Sequence, residues 1–268
     1  MPAASVNGIR INYGVEGGGE PLLLIMGFGA TRMAWLLQRL FFRKHFKVIS
    51  FDNRGTGRSD KPAGPYTVKD MADDAAGLLD HLEIESAHVV GVSMGGMIAQ
   101  ELAIRHPDKV RKLVLGCTFA CADQEGGIAP ELLRAMGFAG DAYPDETAPV
   151  PIEKSFRAVV SNTFNSPLYR LTTIPLTWFL PLFIHRDGLA AQQEAITGHD
   201  TRERLGRIKA PTLVMCGTDD RIISPSSSDT LAGRIPNSKL VKIDGGSHAF
   251  MAERAKRFNR EVLAFLKI

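Results

Sequence analysis

Six residues, Gly91-Val92-Ser93-Met94-Gly95-Gly96, constrain the fold of this chain more than any others. They join an apolar run, Ala87-His88-Val89-Val90, to a helix-forming run, Met97-Ile98-Ala99-Gln100-Glu101-Leu102-Ala103. Glycines two positions to either side of Ser93 carry no Cβ. A strand and a helix can therefore approach closely around a sharp turn that leaves the hydroxyl at the C-terminal edge of a sheet. The helix that starts there aims its first N–H groups at the place where negative charge would develop. The pentapeptide alone also fits a serine N-cap in an ordinary strand-to-helix turn. Partners further along the chain separate the two readings.

Those partners are an acid and a histidine. Lys209-Ala210-Pro211-Thr212-Leu213-Val214-Met215-Cys216 reads as a buried parallel strand ending in Gly217-Thr218-Asp219-Asp220-Arg221, which delivers a carboxylate, Asp219 or Asp220, to a strand's C-terminal end. Lys239-Leu240-Val241-Lys242-Ile243-Asp244 reads as another strand, followed by Gly245-Gly246-Ser247-His248. An amphipathic terminal helix with Phe258, Val262, Phe265 and Leu266 on one side comes next. His248 thus sits on a turn at the same edge.

The three residue types meet separate chemical needs. A serine hydroxyl is a poor nucleophile until a neutral imidazole takes its proton. A buried carboxylate fixes the imidazole's tautomer and stabilises the imidazolium that forms. A tetrahedral oxyanion needs donors, and the backbone N–H of Met94 is one. A second is expected from the loop after Leu22-Leu23-Leu24-Ile25-Met26, where Gly27-Phe28-Gly29 lets the backbone come close. Phe28 N–H is the expected donor.

The elbow around Ser93, the run Phe51-Asp52-Asn53-Arg54-Gly55-Thr56-Gly57-Arg58-Ser59, Gly217-x-x-Asp220 and Gly245-Gly246-Ser247-His248 together carry a resemblance. Over nearly its whole length the chain resembles the α/β-hydrolase superfamily, and within it small serine esterases and lactonases similar to 3-oxoadipate enol-lactonase. The resemblance implies the chain order serine, acid, histidine. It also implies an acid three residues past the strand-end glycine, hence Asp220 rather than Asp219. Met26-Gly27 stands where many relatives have His-Gly, and is similar to the Met-Gly form of methylesterase-like relatives of aclacinomycin methylesterase.

The resemblance implies a cofactor-free hydrolase of small carboxylic esters or lactones. Ser93 attacks, His248 moves the proton, Asp220 orients His248, and the Phe28 and Met94 amides hold the oxyanion. Serine at the elbow separates the chain from haloalkane dehalogenases and epoxide hydrolases, which resemble this fold but use aspartate there. Carbon-carbon hydrolases of ring-cleavage products, cofactor-free perhydrolases, and ligand-binding regulatory proteins that keep the triad stay open on the same fold.

Strand and helix patterns alternate along the chain. Val6-Asn7-Gly8-Ile9 signals a tight hairpin, and strands are expected at 22–26, 47–52, 88–92, 110–116, 211–217 and 240–244. Thr67 is the expected N-cap of the helix after the second of these. Such alternation gives an α/β fold with a mostly parallel, doubly wound sheet. The alternation breaks over 120–205, where seven of the chain's fifteen prolines fall within 121–205. Residues 1–119 and 206–268 are therefore expected to form the core, and 120–205 short helices and irregular turns; this stretch resembles the inserted helical cap of the superfamily. Phe156, Phe164, Tyr169, Trp178, Phe179 and Phe183 concentrate apolar surface there, and some are expected to line an acyl or alcohol pocket.

Composition excludes several function classes. A net charge of +3 over 268 residues is too small to imply nucleic acid. The basic clusters at Arg43-Lys44-His45 and 202–209 are interrupted and read as solvated helix faces. Three cysteines, Cys117, Cys121 and Cys216, read as reduced thiols without a metal-ligand pattern. Gly55-Thr56-Gly57 lacks a following Gly-Lys-Ser/Thr and reads as a turn rather than a phosphate loop. His45, His81, His88 and His106 read as solvated or capping residues, whereas His185 and His199 fall in the expected cap and are candidate substrate contacts. No stretch reaches transmembrane length, and no signal-like start is visible, so no membrane association and a cytoplasmic location are expected. No cofactor or metal is expected, and the partner is a small-molecule substrate. Oligomeric state has no signature in the sequence.

Overall fold

Consecutive apolar residues in the strands demand cover on both sides of a sheet, because successive side chains point to opposite faces. The computed structural model describes residues 2–122, 159–167 and 185–267. In it, Leu23, Ile25, Val89, Leu113 and Val214 pack into one buried cluster. Their neighbours Leu22, Leu24, Val90, Val114 and Met215 pack into a second.

Eight strands supply these residues: β1 (Ala3–Val6), β2 (Ile9–Glu16), β3 (Pro21–Ile25), β4 (Lys47–Phe51), β5 (Ala87–Val92), β6 (Val110–Gly116), β7 (Thr212–Gly217) and β8 (Ser238–Ile243). Their order in the sheet is β1-β2-β4-β3-β5-β6-β7-β8. The β1–β2 and β2–β4 pairs are antiparallel, and the rest are parallel. The expected hairpin joins β1 to β2, with Asn7 at φ 48° and Gly8 at φ 77°. Two consecutive positive φ values match the right-handed strand twist, which explains the Asn-Gly pair.

Helices cover both faces. On the first lie α2 (Val68–His81) and α3 (Met94–Arg105), which contribute Met71, Leu78, Ile98 and Leu102. As expected, Thr67 caps α2, and Asp70 completes a reciprocal capping box. On the second face, α1 (Leu36–Phe42) contributes Phe42, and the terminal helix at Ala255–Lys267 contributes Phe258, Val262 and Leu266. Trp35 stacks on Phe258 with ring centroids 6.5 Å apart, and Phe250 meets Phe258 edge-on at 5.6 Å. These aromatic pairs lock the terminal helix onto the sheet.

At the C-terminal end of β4, Asp52 ties three segments together. One carboxylate oxygen accepts the Arg32 N–H at 2.8 Å. The other accepts Asn12 Nδ2 at 2.8 Å and the Arg58 N–H at 3.0 Å. The Gly55-Thr56-Gly57 stretch is accordingly a turn folded around this carboxylate, with Thr56 Oγ1 donating to the Asn53 carbonyl at 2.9 Å.

Two local readings need correction. His88 is buried rather than solvated, only 4 % exposed, and burial lowers its pKa. Its position inside β5 puts its side chain under the sheet's cover. The basic run at 202–209 is not a plain solvated face either. Arg204 grips the buried Glu101 with two bonds at 2.7 and 2.5 Å, while Leu205 and Ile208 enter the core.

The stretch 120–205 is described only at its margins and at 159–167. Phe156, Tyr169, Trp178, Phe179 and Phe183 lie outside the described residues. Toward its end, α4 (Arg186–Thr197) buries Leu189, Ala195 and Ile196. Cys121 and Asp200 form an antiparallel bridge where the chain returns.

Removing the Asp52 carboxylate strands two backbone N–H groups and one amide. Asp52→Ala is expected to lower unfolding free energy by about 3 kcal/mol, since each buried polar group left unpaired costs about 1–3 kcal/mol before relaxation. Urea denaturation measures it; a loss below about 1 kcal/mol would mean that water replaces the carboxylate.

Candidate active site

The turn after β5 is built by close backbone approach. A Cβ at Gly91 would lie 2.2 Å from the Gly95 carbonyl oxygen, and one at Gly95 would lie 2.2 Å from that of Ile25. Only glycine fits either position. Between them Ser93 has φ 55° and ψ −127°, a conformation that costs a non-glycine residue about 1–3 kcal/mol and is held by its surroundings. The Ser93 N–H donates to the Gly116 carbonyl at 2.9 Å, anchoring the turn to the end of β6.

Two further turns reach the same edge. Past β8, His248 places Nε2 3.1 Å from Ser93 Oγ and Nδ1 2.8 Å from Asp220 Oδ2. Past β7, Asp220 turns inward. Its Oδ1 accepts the N–H groups of Ile222 at 2.8 Å and Ile223 at 3.0 Å, and its side chain is fully buried. Asp219 points outward and is exposed. Of the two candidate acids, Asp220 meets the imidazole and Asp219 does not.

The two residues expected to donate to an oxyanion both lie near Ser93. Met94 is the first residue of α3, where backbone N–H groups have no carbonyl partner within the helix. Phe28 lines the same cavity as Ser93 and His248. Its neighbour Gly27 passes so close that a Cβ there would lie 3.0 Å from Ser93 Cβ. The cavity measures about 340 Å³ and is walled mainly by apolar side chains, among them Val92, Val159, Phe164 and Met251.

A clamp around His248 had no local signal in the sequence. Ala249 N–H donates to the Thr163 carbonyl at 3.0 Å, and Asn165 Nδ2 donates to the Asp219 carbonyl at 3.0 Å. Glu253 accepts the Ser166 N–H at 2.7 Å through one oxygen and Ser247 Oγ at 2.5 Å through the other. The segment 159–167 is thereby tied to both the acid turn and the histidine turn.

Among the described residues, Cys117, Asp220 and His248 form a group whose ligand atoms lie within 4.8 Å of one another. Both ring nitrogens of His248 already have partners, and burial pushes the Cys117 thiol well up. A metal ion there would have to displace His248 from either Asp220 or Ser93. The two histidines weighed as candidate substrate contacts sit elsewhere. His185 is exposed at the N-terminus of α4. His199 is buried beside Phe119, with ring centroids 6.5 Å apart, and does not line the cavity.

The sheet order and the serine elbow agree with the comparison to known families. The alpha/beta hydrolase fold family matches residues 20–159 and 186–255. The chain belongs to that family. It is 34% identical to 2-hydroxymuconate semialdehyde hydrolase of Pseudomonas sp. (strain CF600), over 97% of this chain and 91% of that protein. It is 29% identical to a putative carbamate hydrolase RutD of Azorhizobium caulinodans, over 99% and 98%. The solved enol-lactonase of Burkholderia xenovorans LB400 superposes with a TM-score of 0.84 at 30% identity, covering 100% of both chains. Among the described residues, no helix is long and apolar enough to cross a membrane.

His199 makes acid stability measurable at one site. Burial lowers its pKa to about 4, with Glu101 opposing and Arg204 reinforcing the shift. Unfolded, it titrates at about 6.5. The neutral folded form therefore stabilises the protein fully above about 6.5, and the contribution is lost as pH falls through that value toward 4. The loss is about 3 kcal/mol at one pKa unit per 1.36 kcal/mol. In His199→Phe the fall in unfolding free energy between pH 7 and pH 4 should shrink by about that amount; an unchanged fall would show that His199 does not titrate in this way.

Proposed function

We propose that the chain is a serine hydrolase of small carboxylic esters or lactones, working without a cofactor. The observation that carries this reading is the unbroken relay from Ser93 Oγ through His248 to Asp220, at 3.1 and 2.8 Å, opening into the apolar cavity. In this reading His248 Nε2 takes the Ser93 proton as Oγ attacks the carbonyl. Asp220 holds the opposite ring nitrogen and stabilises the imidazolium. The Met94 and Phe28 amides receive the oxyanion, and the proton then passes to the leaving oxygen. Water, deprotonated by His248, releases the acyl group from Ser93.

The activities for which the relatives are named, a semialdehyde hydrolase, a putative carbamate hydrolase and an enol-lactonase, all fit nucleophilic attack on a carbonyl. An apolar cavity of about 340 Å³ favours short acyl groups. The reading of 120–205 as a cap is supported by Val159, Val160, Thr163 and Phe164 in the cavity wall. A second reading, carbon-carbon hydrolysis of a ring-cleavage product, is supported by the 34% identity to 2-hydroxymuconate semialdehyde hydrolase.

Ser93→Ala should fold and lose about four to six orders of magnitude in kcat/KM, because relay members act as a unit. A fluorophosphonate probe should label the wild type at Ser93 and leave the variant unlabelled. Asp220→Asn should cost on the order of ten-thousand-fold, while Asp219→Asn should cost less than about tenfold. The opposite ranking would move the acid to Asp219.

Substrate class is decided by kcat/KM for short esters, lactones, carbamates and a ring-cleavage dienone, assayed side by side. Short esters or lactones should lead. A lead for the dienone would install the carbon-carbon reading.

A further inference from the structure

We infer that Gln192, on α4, is a positioning residue that fixes the orientation of the Phe28 amide in the loop after β3. The inference rests on the hydrolase reading above for its consequence, but the contact itself is geometric. Gln192 is completely buried. Its Oε1 accepts the Gly29 N–H at 3.0 Å, and its Nε2 donates to the Arg54 carbonyl at 2.7 Å. Acceptor and donor ends are both used, so the bridge requires a primary amide. A carboxylate would face the Arg54 carbonyl oxygen, and an apolar side chain would strand both backbone groups.

The position of this bond in the loop gives it its effect. The Phe28 N–H belongs to the peptide unit between Gly27 and Phe28. The unit before it is pinned through the Met26 carbonyl, which accepts Asn53 Nδ2 at 2.8 Å. The unit after it is pinned through the Gly29 N–H by Gln192. The middle unit itself is held by the turn, in which the Ala30 N–H donates to the Gly27 carbonyl at 3.3 Å, a long bond that depends on the planes beside it staying in place. Without Gln192 one neighbour is released, at Gly29, whose φ of 65° is readily exchanged by a residue lacking Cβ. Once that neighbour turns, the long bond from the Ala30 N–H to the Gly27 carbonyl is the direct hold left on the Phe28 unit, and the next anchor along the loop is the Arg32 N–H on Asp52.

The bridge also explains why α4 lies where it does. One helical turn before Gln192, the Gly188 carbonyl accepts Tyr66 Oη at 3.2 Å. A Cβ on Gly188 would come within 2.3 Å of the Gly55 carbonyl oxygen. Positions 188 and 192 face the same way on a helix, so α4 is seated on the 54–55 turn by its backbone and reaches past it to the Gly29 amide with one side chain.

Gln192→Met removes both bonds at nearly constant volume. With a short acyl ester, kcat is expected to fall by about ten- to a hundredfold with KM within about threefold, since losing a whole oxyanion donor costs about a hundred- to a thousandfold. Affinity for a small boronic acid, whose tetrahedral adduct on serine presents the same oxygen, should weaken in step. Hydrogen exchange over 27–32 should accelerate. Wild-type kcat and boronate affinity with unchanged exchange would overturn the inference, as would a loss confined to KM.

If Gln192→Met does not fold, exchange in the wild type decides. The Gly29 amide should exchange far more slowly than that of the exposed Gly18, and equal rates would refute the bond. Because exchange is read without substrate, it tests the anchoring even if Ser93→Ala were to leave hydrolysis intact and the hydrolase reading fell.

Discussion

The site depends on backbone packed against backbone beneath Ser93. Gly91 admits the Gly95 carbonyl, Gly95 admits that of Ile25, and β3, β5 and α3 therefore meet with no side chain between them. A serine in a costly conformation survives there because three elements of the core hold it at once. The parallel order β3-β5-β6-β7-β8 then brings the ends of five strands to one edge. Phe28, Ser93, Cys117, Asp220 and His248 follow those ends. The functional geometry is largely a property of sheet order, and the loops need only turn each side chain inward.

Much of this was legible in the sequence because it is written in local patterns. Strand positions followed from short apolar runs and the hairpin from Asn7-Gly8. The cap of α2 followed from Thr67, and the elbow from its glycines. Resemblance to the α/β-hydrolase superfamily then selected Asp220, which the residues alone left level with Asp219. The structure supplies the physical reason: the Ile222 and Ile223 amides draw the second carboxylate inward, and the first is left in solvent.

What was not legible is long-range and polar. Gln192 reaches Gly29 across 163 positions, and Asn165 reaches Asp219 across 54. Neither has a periodicity or spacing that a linear reading could register. The same holds for Arg204, which looks like one more basic surface residue until Glu101 is found buried opposite it. His88 and His199 misled for a related reason. Histidine is ordinarily half-exposed, and nothing local announces that a particular ring is enclosed and has its pKa lowered by burial.

The bond from the Ala249 N–H to the Thr163 carbonyl joins the wall of the cavity to the residue next to His248. The wall and the turn that carries His248 are consequently joined by backbone. A bound molecule too large for the space between Phe164 and Met251 would push on 159–167, and the Thr163–Ala249 bond would pass that push to the turn that carries the imidazole. Under the proposed chemistry, an ill-fitting molecule is then penalised in proton transfer as well as in binding. Such a molecule would then be held without reacting, and discrimination would be exercised by the rate constant even where affinities are alike.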